Sequence, residues 1–223
     1  MSSTQSDCRG PSSLVKKAIM AITGLVLVGF VAGHMSGNLL YFAGPEALDA
    51  YAKWLHSLGP ALWIARLVLL ASVIAHVWVA ILLTAENRAA RAGGPSLDAT
   101  RVASKSSRTM PYTGIVLLGF LIFHLLHFTF RTVSPEVTAA GDAGRVHEML
   151  ILGFKSVGVS AFYVVSMALL CLHLSHGVAS MFQTLGFRNE RWRGRIDKAA
   201  VAYGWVIFLG FASIPIHVLA TAK

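Results

Sequence analysis

Acid is scarce in this chain. Ten Asp and Glu stand against nineteen Lys and Arg over 223 residues, and charged residues make up only 13% of the whole. A soluble domain carries about 25%. The charge is also clustered, which leaves five long stretches free of it: Ala18 to Pro45, Leu67 to Ala85, Thr109 to Phe130, Ser156 to Phe187 and Ala199 to Ala222. Each is long enough for the roughly 20 apolar residues of a membrane-spanning helix. The expected fold class is all-α, an integral membrane bundle of five transmembrane helices. They fall at about 17–42, 60–85, 109–131, 156–184 and 199–221, behind a short disordered tail over 1–15. Residues 16–223 form one membrane domain, with no length left for a soluble catalytic domain. The polar start, Met1 to Ser13, and the long first apolar run argue against a cleaved signal peptide.

Cysteine is scarce too. Cys8 lies in the tail and Cys171 inside a span, with no metal-site spacing and no C-x-x-C-H motif. A thioether-linked cofactor has no motif here, and a structural disulfide is not expected. A Gly-rich dinucleotide fingerprint and an iron–sulfur cysteine run are absent as well.

The surplus of base needs no nucleic acid to explain it. Most of the nineteen cations fall in three regions: Arg9, Lys16 and Lys17; Arg88, Arg91, Arg101, Lys105 and Arg108; and Arg188, Arg191, Arg193, Arg195 and Lys198. These alternate with the other loops, so all three lie on one side. The positive-inside rule makes that side cytoplasmic, with the N-terminus inside and the C-terminus outside. A basic face of this kind suits anionic lipid or a docked protein. Ala92-Gly93-Gly94-Pro95-Ser96 marks a break on the inner side. The two outer loops, near 42–60 and 131–155, are each long enough for a short surface helix.

Four histidines stand well inside four different spans: His34, His76, His124 and His173. An imidazole in lipid is costly without a partner, so each marks a functional site. Helix rise gives their depths. His34 and His124 lie roughly 25 Å and 24 Å from the inner charges, and His76 roughly 18 Å. His173 lies at most roughly 22 Å away, because Gly186 shortens its helix. The outer pair is thus His34 with His124, and the inner pair His76 with His173. Two stacked bis-histidine haems in the first four helices account for this pattern, held without thioether links as in b-type cytochromes. A lone transmembrane histidine could instead bond a neighbouring helix. Four of them in two depth classes make that reading weaker.

His127 follows His124 by three residues, and His176 follows His173 by three, so each pair shares roughly one helix face. Periodicity does not choose between the members of either pair. Gly29, Gly33 and Gly37 run beside His34, spaced by four; they serve helix packing or cofactor clearance. Gly177, four residues after His173, is a similar case.

Longer motifs carry a resemblance. They are Gly24-Leu25 with Gly33-His34 and Gly37-Asn38-Leu39; His76 with Thr84-Ala85-Glu86-Asn87; and Thr113-Gly114-Ile115 ahead of Phe123-His124. Phe162-Tyr163, His173-Leu174-Ser175-His176-Gly177 and Phe182-Gln183-Thr184-Leu185-Gly186 continue the series. In order and spacing, over nearly the whole chain, they resemble the cytochrome b membrane anchor of succinate:quinone oxidoreductases. The likeness is to the single-chain, five-helix, di-haem type. The resemblance implies His34 and His124 as ligands of the distal haem and His76 and His173 of the proximal one, leaving His127 and His176 as non-ligands. It implies two haem b, a quinone substrate (menaquinone in outer-site users) and a bacterial cytoplasmic membrane. It also implies two partners, a flavoprotein with covalent FAD and an iron–sulfur protein. Succinate chemistry would then reside on the flavoprotein, with no catalytic residue on this chain.

A quinone site needs polar groups near a haem edge. Outer candidates are Asn38, Tyr41, His56, His127 and Arg131; inner ones are His176, Ser180, Gln183 and Arg188. Each is otherwise an interfacial residue or a propionate contact. Tyr41, Trp54, Trp63 and Tyr112 also suit aromatic belts. Arg66 is expected to snorkel outward or meet a propionate. Two rivals remain: a cytochrome b anchor of a hydrogenase or formate dehydrogenase, and a haem-free transporter with a histidine proton relay. A transporter tends to carry internal repeats and broken helices. No internal repeat is expected here, and Pro215 is the only deep proline.

Overall fold

The computed structural model describes residues 12–92 and 105–221, with side chains described over 12–89 and 109–221. Cys8, Arg9, Arg101, most of the 1–15 tail and the Gly93-Gly94-Pro95-Ser96 break lie outside the described residues. Among the described residues the chain is helical, with no strand. Five helices are long and apolar enough to cross a membrane: Ser13–Ala43, Pro60–Ala89, Thr109–Thr129, Val157–Thr184 and Arg193–Thr221.

In chain order, α1 is Ser13–Asn38, tightening into a 3-10 turn at Leu39–Ala43. Then come α2 (Pro45–Ser57), α3 (Pro60–Ala92) and α4 (Lys105–His124), which widens into a π turn at Leu125–Thr129. They are followed by α5 (Pro135–Asp142), α6 (Val146–Phe154), α7 (Val157–Thr184) and α8 (Arg193–Thr221). The outer loops do contain short helices, α2 in the first and α5 and α6 in the second.

Local chemistry sets these boundaries. Ser12 accepts a bond from the Val15 amide and starts α1. Gly44, at φ 102°, turns the chain so that Pro45 can open α2. Gly186, at φ 82°, ends α7, and the Phe187 amide reaches back to the Phe182 carbonyl. Several boundaries differ from those expected. α1 begins at Ser13 rather than 17, α3 runs to Ala92 rather than 85, and α4 begins at Lys105 rather than 109. Arg193, Arg195 and Lys198, read as loop residues, lie on the first turns of α8. The Asn189 side chain accepts from the Trp192 amide, and Arg188 forks onto both oxygens of Asp197, at 2.8 and 2.9 Å. These contacts start the helix early.

α1, α3, α4 and α7 are joined in a ring. α1 packs on α3 and on α7, and α4 packs on α7. The ring closes least tightly between α3 and α4, where a cleft of about 240 Å³ is lined by Val73, Ile74, Val77, Trp78, Ile81 and Leu118. α8 lies outside the ring, packed along α7 and touching α1. Lys16 pairs with Glu86, joining the start of α1 to the end of α3 at one end of the bundle. At the other end the Asp49 carboxylate of α2 accepts from the His147 amide of α6, 2.9 Å away. Large apolar side chains such as Trp63, Leu67, Ile74, Trp78, Ile115 and Leu209 are exposed along the spans. In water such a surface would be a liability; in lipid it is the solvated face.

Candidate functional site

His76 stands on α3 and His173 on α7, the two helices of one diagonal of the ring. Each ring has a threonine at Nδ1. Thr23 Oγ1 of α1 lies 3.1 Å from His76 Nδ1, and Thr113 Oγ1 of α4 lies 3.2 Å from His173 Nδ1. Both threonines are buried. Both also bond the preceding turn of their own helix: Thr23 reaches the Ile19 carbonyl at 2.8 Å, and Thr113 the Met110 carbonyl at 3.0 Å. Gly24 and Gly114 follow them, and a Cβ at either would sit 3.7 Å from Cε1 of the same histidine.

The other diagonal brings together His34 of α1 and His124 of α4. Their ring centroids are 5.8 Å apart and nearly perpendicular, at 79°. Each stacks on a phenylalanine one turn earlier, Phe30 at 5.2 Å and Phe120 at 5.8 Å. Asn38 donates to the His34 backbone carbonyl at 2.7 Å, which ties this candidate to its own helix.

Tyr163 of α7 sits between the two histidines of the His-Leu-Leu-His segment. Its hydroxyl is 3.3 Å from His124 Nδ1 and 3.1 Å from His127 Nδ1. His127 is only 2% exposed and lies in the π turn, where the Phe130 amide bonds the Leu125 carbonyl five residues back. Such turns concentrate at functional sites. His124 therefore faces His34, while His127 is taken up by Tyr163 and by Phe128, whose ring centroid is 4.1 Å away. At the inner end His176 lies 3.4 Å from Ser180 Oγ.

The glycine series divides. A Cβ at Gly29 or Gly33, and at Gly119 of α4, would meet nothing within 4 Å. At Gly37 it would meet the Tyr51 ring at 2.6 Å. Gly37 thus serves the docking of α2, whereas Gly29 and Gly33 hold no neighbouring helix close. Gly177 has only Met110 near it, at 4.0 Å.

The remaining polar candidates scatter. Tyr41 is not a belt residue: it is 5% exposed, its hydroxyl 3.1 Å from His217 Nδ1 and its ring stacked on His147 at 4.8 Å. Phe211, six residues before His217, lies 5.8 Å from His34, so this cluster is about 9 Å further out by helix rise. His56 is exposed, with Nδ1 on the Ala52 carbonyl of its own helix, and the cluster forms without it. Arg131 takes a positive φ of 56° and pairs with Asp142 at 2.6 Å. Gln183 accepts from Arg188 at 3.0 Å. Arg66 lies over the Trp63 ring, and Trp54, Trp63 and Tyr112 are exposed as belts require. Cys171 is a buried free thiol.

Sequence reasoning did not single out Thr23, Thr113, Tyr163 or His217 for a role at the site. Hydroxyls carry no pattern of their own in an apolar helix, and His217 stands alone on α8. No protein-family model, curated protein or solved structure matches the chain.

Proposed function

We propose that this chain is the haem b-containing membrane anchor of a succinate:quinone oxidoreductase. The observation that carries the reading is the approach of His34 to His124 across one diagonal of the four-helix ring, with His76 and His173 on the helices of the other diagonal, each met at Nδ1 by a threonine. The donor set suits the group. Bis-histidine ligation needs two neutral imidazoles per iron, each with its second ring nitrogen held by a partner. His76, His173 and His124 have such a partner in Thr23, Thr113 and Tyr163. The open flanks of Gly29, Gly33 and Gly119 leave room beside the outer pair.

Two haems b bound there would supply one-electron transfer between an iron–sulfur partner and membrane quinone. The chain's own residues do the rest. The four imidazoles bind, and their Nδ1 partners orient them. The apolar walls exclude water. The basic end, with Lys17, Arg191 and Arg195, offers a docking face to the iron–sulfur and flavoprotein subunits, and the positive-inside rule makes that end cytoplasmic. At the opposite end Tyr41, His147 and His217 supply groups able to exchange protons with a quinone such as menaquinone.

Purification of the native complex tests this. Two haems per flavin are expected, with a flavoprotein and an iron–sulfur protein co-purifying. His34→Ala and His124→Ala should each remove the same spectral component, and His76→Ala and His173→Ala the other. A haem-free complex, or hydrogenase or formate dehydrogenase partners, would overturn the assignment.

A further inference from the structure

α1 and α4 are copies of one another. Met20, Thr23, Gly24, Val26, Leu27, Gly29, Phe30 and His34 recur as Met110, Thr113, Gly114, Val116, Leu117, Gly119, Phe120 and His124. Every pair is 90 positions apart (113 − 23 = 90), with no insertion between them. The expectation of no internal repeat is therefore corrected. The repeat is short, confined to one helix of each half, and hidden among apolar residues common to all spans.

The contacts repeat with the sequence. Each threonine meets the Nδ1 of a histidine on the next long helix of its own half: Thr23 of α1 with His76 of α3, Thr113 of α4 with His173 of α7. Each following glycine leaves the same 3.7 Å to that histidine's Cε1. Each phenylalanine stacks on its own histidine. Eleven residues separate threonine from histidine in both copies, about three turns, so both lie on one helix face roughly 16 Å apart. One motif thus serves both levels: its histidine belongs to the outer pair and its threonine to the inner.

We propose that Thr23 and Thr113 are equivalent positioning residues for the inner histidine pair. Each hydroxyl proton goes to a backbone carbonyl of its own helix, which can only accept. The oxygen then accepts from the histidine Nδ1–H. That places the proton on Nδ1 and leaves the Nε2 lone pair free to bind. The inference rests on the haem reading, and its test separates the two.

The experiment compares Thr23→Val and Thr113→Val with Thr23→Ser and Thr113→Ser in the full complex. Haem content, midpoint potentials and low-temperature paramagnetic resonance are the readouts. Valine keeps the shape and removes the acceptor. An imidazole deprived of its Nδ1 partner is a weaker donor to ferric iron. The potential of one and the same haem should therefore rise in both valine variants, with the other unchanged, and serine should restore it. Should valine expel the inner haem instead, rescue by serine alone supports the proposal. Wild-type potentials in the valine variants, serine behaving as valine, or an effect at one threonine only would overturn it. A wild-type complex without haem would overturn the functional reading itself.

Discussion

Tyr163 shows how a single hydroxyl can sort two histidines. It has one proton and lies within hydrogen-bond range of two Nδ1 atoms, on His124 and His127. If it accepts from His124, it donates to His127, and the two rings take opposite tautomers. His124 keeps a free Nε2 toward His34, and His127 becomes its buttress. Tyr163→Phe should cost about 1–3 kcal/mol, because buried His127 loses a partner; thermal unfolding in detergent measures this. On the proposed haem assignment, His127→Ala should retain two haems per chain. Loss of one haem in that variant would make His127 the ligand. At the outer end Tyr41, not His56, sits in the cluster of titratable groups. If the proposed quinone reaction holds, Tyr41→Phe should slow quinone turnover, while His56→Ala should leave turnover and affinity unchanged. The four intramembrane histidines were legible from sequence because a polar group in a long apolar run has few uses. Their hydroxyl partners were not, because a threonine in a membrane helix commonly bonds its own preceding turn, as Thr23 and Thr113 also do here.

Between elements, close approach separates glycines that look alike in the sequence. At Gly204 of α8 a Cβ would meet Ser175 Oγ at 2.6 Å and the Cys171 carbonyl at 2.7 Å, both on α7. The α7–α8 seam depends on this contact. Gly204→Ala should therefore overpack the seam and destabilise by about 1–3 kcal/mol. Gly29→Ala meets open space and should leave the bare helix packing intact. Thermal unfolding of the two variants side by side checks the contrast, and equal losses would contradict it. Helix positions were readable from charge-free run lengths, and Gly186 ends α7 as its spacing suggested. The early start of α8 was not readable, because it depends on Arg188 reaching Asp197, a contact that a loop reading of the basic run does not suggest.

Over the molecule as a whole, the surplus of positive charge lies at one end and the surface helices at the other. Lys16 with Glu86 and Arg188 with Asp197 both mark the basic end, whereas α2, α5 and α6 cover the opposite one. The positive-inside rule predicts that single cysteines placed on the exposed faces of α2 and α5 will react with an impermeant reagent added outside the cell. Cysteines near Trp192 should react only after the membrane is opened. The reverse labelling pattern would invert the topology.

The linear chain by itself determined five apolar helices, their approximate ends and the depths of His34, His76, His124 and His173. These follow from run length, helix rise and the cost of charge in lipid, which are all local. Only the tertiary structure decided which hydroxyls meet the histidines, which glycines are packed and which are open, and that α1 and α4 present one repeated motif to both levels of the bundle. Those depend on how helices far apart in sequence rotate against one another, and an apolar helix with no pronounced polar face records that rotation only weakly.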